Sequence, residues 1–272
     1  MTICIAAISE SKDILAIADK KFTNSLGVTS GYQINENKKI VEVTPKCLAL
    51  FAGNIVNANE VLAIAKKIIK PTDSVPAVAD KIKNAYMQRL RSAINDEILS
   101  KFGLDIDSFN AQQKSLDTTF INSVIETIND PNTTLGVQII VAGKEADGPQ
   151  LYKVSHPGTI TNETPIGYTS TGSGSSHANL SLMASGCHPG TDHAILTYAL
   201  LKAKKKAEYD PDVGDMSMMA LIKDKVDWID NDVMKKLWKE YENSVKEITA
   251  ITKKSSTIMI GAINGSSPVQ PQ

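Results

Sequence analysis

The sequence predicts an α+β fold in four layers, two antiparallel sheets packed face to face with a pair of helices on each outer face (αββα). Three observations lead there. Strand-like runs come in hairpins and helix-like runs in pairs. Their order is strands, two helices, strands, two helices, strand, helix. A doubly wound fold would instead alternate strand and helix one at a time. The 272 residues suffice for one sizeable core. Residues 1–265 are read as one domain, with an extended helical segment over 71–134, and the Ser/Pro/Gln-rich 266–272 as a disordered tail.

The elements follow in order. Residues 2–8 are an apolar run, Ser9 to Asp13 a polar turn, and Ile14 to Ala18 a second apolar run, which together read as a hairpin. Asn24 to Tyr32 is loop-like. Lys39 to Val43 and Cys47 to Ala52, separated by Pro45-Lys46, form a second hairpin that stops at Gly53-Asn54. From Ala58 to Lys70, apolar residues recur at helical spacing until Pro71. Pro76 to about Phe102 reads as a long helix, and Thr118 to Ile128 as another among Gln/Asn-rich turns. Strands return over Gly136 to Ala142, Leu151 to Val154 and Ile166 to Thr171, with Asp147-Gly148-Pro149 as the intervening turn. The small-residue loop Thr171 to Ser175 leads to helices at 176–185 and 190–208. Met216 to Ile222 is a strand, Asp230 to Ile251 an amphipathic helix, and Ser255 to Gly261 a last strand.

Composition narrows the function. The chain is 42% hydrophobic and 22% charged, the balance of a globular protein, and only 5% aromatic, so the core rests on aliphatic residues. A net charge of -1 without a basic stripe argues against nucleic-acid binding. The run Lys204-Lys205-Lys206 reads as a solvated helix face. No apolar stretch reaches the roughly 18 residues of a membrane span. Cys4, Cys47 and Cys187 are odd in number and widely spaced, which suggests buried reduced thiols in a cytoplasmic protein and not a zinc or disulfide framework. The four histidines, between His156 and His193, lack metal-ligand spacing. No metal or cofactor is expected.

The chemistry centres on Thr2. Loss of Met1 would leave Thr2 terminal, with a hydroxyl nucleophile and a free amine to serve as its base. An α-amino group titrates near about 7.7–8.0, so a useful fraction is neutral at physiological pH. Asp19 at a strand end and Lys39 at a strand start supply the charges such a nucleophile needs. Separately, they read better as a turn former and an edge lysine than as catalytic groups. The Gly-Ser-Gly-Ser loop lacks the lysine of a phosphate-binding loop.

Four segments taken together resemble the proteasome β-subunit family of N-terminal-nucleophile hydrolases. They are Ile14 to Thr23 (ILAIADKKFT), Lys38 to Pro45 running on to Phe51-Ala52-Gly53, Asp147 to Tyr152 (DGPQLY) and Thr169 to Ser175 (TSTGSGS), in family order. The resemblance covers roughly 1–70 and 135–225. It implies a threonine peptidase or amidohydrolase with Thr2 as nucleophile, Lys39 beside it and Asp19 supporting Lys39. It also implies that Ser173 lies near the terminal amine and that Asp212 supports Ser173, with Asp210 a rival and Asp215 standing where the family has a serine. The Gly53 N–H would serve the oxyanion and Thr23 the substrate backbone, while Phe22, Val41 and Phe51 would line the specificity pocket. The implied partners are peptide or unfolded-protein substrates, further copies in a homo-oligomeric ring, and an ATP-dependent unfoldase. A structural subunit that does not cleave and a small-molecule amidase are the rival readings. The 71–134 segment and the region after 225 are longer than the family pattern.

Overall fold

The computed structural model describes residues 2–21 and 38–265. The expected loop at 24–32 and the tail at 266–272 lie outside the described residues. By their contacts the residues fall into two compact units, Met1–Ile229 and Asp230–Gln272. Among the described residues there are two five-stranded sheets and seven α-helices, and every neighbouring strand pair is antiparallel.

The first sheet is built on β1 (Cys4–Ile8) and β2 (Ile14–Asp19), whose residues are buried on both faces. That explains why they read as unbroken apolar runs and not as alternation. The second sheet begins with β3 (Ile40–Thr44) and β4 (Cys47–Gly53). Next come α1 (Ile55–Lys66) and α2 (Val75–Ala93). Asn54 Oδ1 caps α1 by accepting from the N–H groups of Val56 and Asn57, and Ser74 caps α2. The long helix expected to about Phe102 changes pitch: a π turn spans Ile94–Ile98 and a 3-10 turn Leu99–Phe102. The helices α3 (Ile106–Gln112) and α4 (Thr118–Asn129) follow. Composition hid α3, where an Asp105/Ser108 capping box outweighs the turn-like Ser, Asn and Gln residues.

The second sheet is completed by β5 (Val137–Glu145), β6 (Gly148–Ser155) and the short β7 (Thr159–Asn162), in the order β3-β4-β5-β6-β7. The chain returns to the first sheet through β8 (Tyr168–Thr171). It then forms α5 (Ser175–Ala184), α6 (His193–Ala207), β9 (Ser217–Ile222) and β10 (Val226–Ile229). The order of that sheet is β10-β9-β2-β1-β8. The edge strands β7 and β10 are four residues each, too short to stand out from turns in the sequence.

The layers follow from alternation along the strands. Cys4, Ala6, Ala16, Ala18 and Ala220 of the first sheet meet Ile40, Leu48, Leu50, Ile140 and Leu151 of the second in one apolar cluster. The opposite face of the second sheet, with Ala49, Phe51, Ile139 and Val141, joins α1 and α2 in another. Helices α5 and α6 pack on β1 and β2. The small side chains of the first sheet let the sheets come close, and Lys144 Nζ bridges them to Asp13 at 2.8 Å.

The second unit consists chiefly of α7 (Asn231–Gly265). The strand expected over Ser255 to Gly261 is therefore helix. The β-branched run Thr257-Ile258 favours a strand locally, but no Gly or Pro interrupts the helix ahead of it. The Ser256 and Thr257 hydroxyls donate back to the carbonyls of Thr252 and Lys253, one turn earlier. No helix among the described residues is long and apolar enough to cross a membrane.

Phe51 is 2% exposed within the helix-side cluster. Truncation to Ala is expected to cost about 3–5 kcal/mol of unfolding free energy. Urea denaturation of Phe51→Ala measures this, and a loss under about 1 kcal/mol would mean that the site collapses around the missing ring.

Candidate active site

Antiparallel pairing brings the start of β1, the end of β2, the end of β8 and the start of β9 to one end of the first sheet. The registers Cys4↔Ala18, Cys4↔Thr171 and Asp19↔Ser217 show this. At the same end, Lys39 enters β3 and Gly53 leaves β4. Thr171 Oγ1 donates to Gln138 Oε1, tying the two sheets together there.

The centre of this end is the Asp19 carboxylate, which is fully buried. Its Oδ1 accepts from the Thr2 hydroxyl, from the Ile3 N–H at 2.9 Å and from Lys39 Nζ at 2.8 Å. Its Oδ2 accepts from the N–H groups of Lys21 at 3.2 Å and Gly214 at 3.1 Å. Lys39, 1% exposed, donates to Asp19, to Thr2 Oγ1 and to the Lys21 carbonyl. All three of these acceptors are oxygens, as suits an ammonium, which only donates. The Thr2 hydroxyl therefore donates to Asp19 and accepts from Lys39. Burial pushes the Lys39 ammonium below its ordinary range, and the charge and hydrogen bond of Asp19 pull it back up.

Glycines let the backbone close around Thr2. Gly172 has φ +110°, and a Cβ there would stand 2.0 Å from the Thr2 carbonyl oxygen. Gly174 N–H points at the same oxygen from 3.5 Å. Ser173, between them, has a buried Oγ with no hydrogen-bond partner among the described residues. Gly53 has φ +103°, and a Cβ there would stand 1.8 Å from the Gly136 carbonyl oxygen. The close approach of the Gly136 backbone, just before β5, is thus sufficient reason for glycine at 53. Cys4 lies beneath, its Sγ donating to the Phe51 carbonyl at 3.2 Å. Burial raises its thiol far above the ordinary range, so it is an inert packing group.

The structure thus brings Thr2, Asp19 and Lys39 into hydrogen-bonded contact and sets Ser173 in the loop wrapped on Thr2. It does not join Ser173 to the late aspartates. Asp210 Oδ1 accepts from the Asp212 N–H at 2.9 Å, and Asp215 Oδ1 from Met216 N–H at 2.8 Å. What their turn contributes to the cluster is the backbone N–H of Gly214. Gly53 is exposed at the end of its strand. Phe51 and Val41 belong to the apolar packing against α1 and α2. Phe22 and Thr23 lie outside the described residues. All three cysteines are buried and free, and among the described residues no three His, Cys, Asp or Glu gather as a metal-ligand set.

One reading is corrected. Lys204 is not on a solvated face but fully buried, its Nζ donating to Glu208 Oε1 at 2.5 Å and to the carbonyls of Gly214 at 2.7 Å and Asp215 at 2.6 Å. The signal was present in the sequence: Leu196, Leu200 and Lys204 recur every four residues, on the buried stripe of α6. Neighbouring lysines at 205 and 206 masked it.

No protein-family model matches the sequence, and no curated protein matches it significantly.

The buried ion pair gives a test independent of any activity. Asp19→Asn and Lys39→Met should each destabilise the fold by about 3–5 kcal/mol, because each strands the partner group without its counter-charge. The double variant should lose clearly less than the sum, since neither charge is then left buried alone. Urea unfolding of the four proteins in a cycle measures the coupling. Strict additivity would mean that the two groups do not interact.

Proposed function

We propose that the chain is an N-terminal-nucleophile hydrolase of αββα architecture, a threonine peptidase or amidohydrolase that acts through Thr2 once Met1 is removed. The observation that carries this reading is the hydroxyl of Thr2 held between the Asp19 carboxylate and the Lys39 ammonium in a buried cluster. An ammonium at a threonine hydroxyl favours development of the alkoxide. It also disfavours a second cation on the terminal amine, which keeps that amine neutral as the base.

The reaction takes two steps. Thr2 Oγ1 attacks the substrate carbonyl as its proton passes to the terminal amine, and the amine returns a proton to the departing nitrogen of the substrate. Water then attacks the Thr2 ester, with the same amine as base, and releases the acid. The Ser173 Oγ in the loop around Thr2, which has no partner among the described residues, is a fitting partner for the amine. Gly53 N–H is assigned to the oxyanion by resemblance. Removing one such donor typically costs about 10²–10³ in rate.

The substrate class is assigned as peptide or unfolded protein, the assembly as a homo-oligomeric ring, the partner as an ATP-dependent unfoldase and the compartment as the cytoplasm. All four follow from the sequence resemblance and cysteine usage. A small-molecule amidase acting through the same Thr2 is the rival reading, separated from the first by substrate size.

Intact mass after treatment with a threonine-directed epoxyketone or β-lactone tests the core of this reading. The mature chain should lack Met1 and gain one adduct, and Thr2→Ala should gain none while folding normally. Retained Met1 with no adduct would instead make the chain a non-cleaving structural subunit. Lys39→Arg should lose turnover by orders of magnitude, because a guanidinium is too large for the same buried point. Fluorogenic peptides set against small amides distinguish the two substrate classes.

The pH profile should be bell-shaped. Turnover rises as the Thr2 amine loses its proton, a group whose ordinary range is about 7.7–8.0. It falls again as Lys39 loses its charge, and because burial lowers that group, the fall comes below its ordinary 10.5. A rate independent of pH across the neutral and alkaline range would remove both groups from the mechanism.

A further inference from the structure

The turn that follows α6 reaches the buried carboxylate through one backbone group, the Gly214 N–H on Asp19 Oδ2 at 3.1 Å. Two lysines hold this turn. On its outer side, Lys21 Nζ donates to the Pro211 carbonyl at 2.7 Å, while the Lys21 backbone N–H donates to the same Asp19 Oδ2. On its inner side, Lys204 Nζ donates to the carbonyls of Gly214 and Asp215 at 2.7 and 2.6 Å. Lys204 is fully buried, and its counter-charge is Glu208 at 2.5 Å.

A buried ammonium costs several kcal/mol of desolvation, and an apolar side chain of similar volume usually serves stability as well or better. A lysine that only ended α6 would turn to the last carbonyls of that helix. Lys204 turns instead to two carbonyls across the turn, one of them on the residue whose N–H binds Asp19. A cation on the Gly214 carbonyl fixes the orientation of the backbone on either side of it. Asp19 in turn meets the ammonium of Lys39 and the hydroxyl of Thr2.

We propose that Lys204 is a positioning residue of the Thr2 centre, acting through the Gly214 backbone to hold Asp19 in place. Lys204 touches no reacting atom. The proposal rests on the hydrolase reading, but the contact it invokes is measurable without turnover.

The experiment uses the full chain with Lys204→Met, which keeps the length of the side chain and removes the charge and donors. Amide hydrogen exchange at Gly214 is expected to quicken at least tenfold relative to amides of β1. In the active protein, kcat should fall about 10–100-fold with KM little changed, the scale of loss that a misplacement near 1 Å produces. A variant that only loosened the fold would quicken exchange everywhere and leave kcat per folded molecule unaltered. Should Lys204→Met not fold, Glu208→Gln replaces it, removing only the counter-charge, with smaller shifts expected in the same directions. Unchanged Gly214 exchange, or a fall in KM-dependent binding alone, would overturn the role of Lys204. An inactive wild type whose Gly214 exchange still depends on Lys204 would overturn the hydrolase reading and leave the contact standing.

Discussion

The carboxylate of Asp19 is the group on which this end of the molecule is organised. It accepts five hydrogen bonds from four separate stretches of chain: Thr2 and Ile3, Lys21, Lys39, and Gly214. A carboxylate can be buried only if its charge and lone pairs are met, and unmet ones cost more than most single contacts return. The requirement therefore acts on all four stretches together. It sets where β1 begins, where β2 ends, how β3 enters the second sheet and how the turn before β9 folds back.

This constraint also fixes chemistry. Among the described residues the Lys39 ammonium donates to three oxygen acceptors, one of them Thr2 Oγ1. On the hydrolase reading proposed above, such preorganisation would require no rearrangement when charge develops on the hydroxyl, and burial would strengthen its effect. Lys204 extends the same logic outward, as a second buried cation on the far side of the Gly214 peptide. The helix-side core of Phe51, Tyr86 and their neighbours then serves as the rigid floor under β4.

Much of the fold was legible because its signals are local. The apolar runs at 2–8 and 14–18 read as strands, and the helical period at Val61, Leu62 and Ala65 announced α1. What misled or escaped was decided elsewhere in the molecule. The run at Thr257 to Ile260 has strand propensity, yet it continues a helix already under way. The strands β7 and β10 exist because an edge was open beside β6 and β9. The capping box at Asp105 and Ser108 was readable but lay in turn-like composition.

The candidate site divides in the same manner. Thr2, Asp19 and Lys39 were marked by residue type, by their places at strand ends and by a resemblance in order along the chain. All of those are properties of sequence. The sequence by itself thus determined the two-sheet α+β class, the hairpin and helix-pair order, and which titratable side chains meet at the end of β1. The tertiary structure alone decided that Lys204 is inside, that the Gly214 N–H reaches Asp19, and that Gly53 and Gly172 are glycines because backbone crowds them. The physical reason is that backbone N–H groups and close approaches carry no residue signature. They become visible only when stretches distant in sequence are packed against one another.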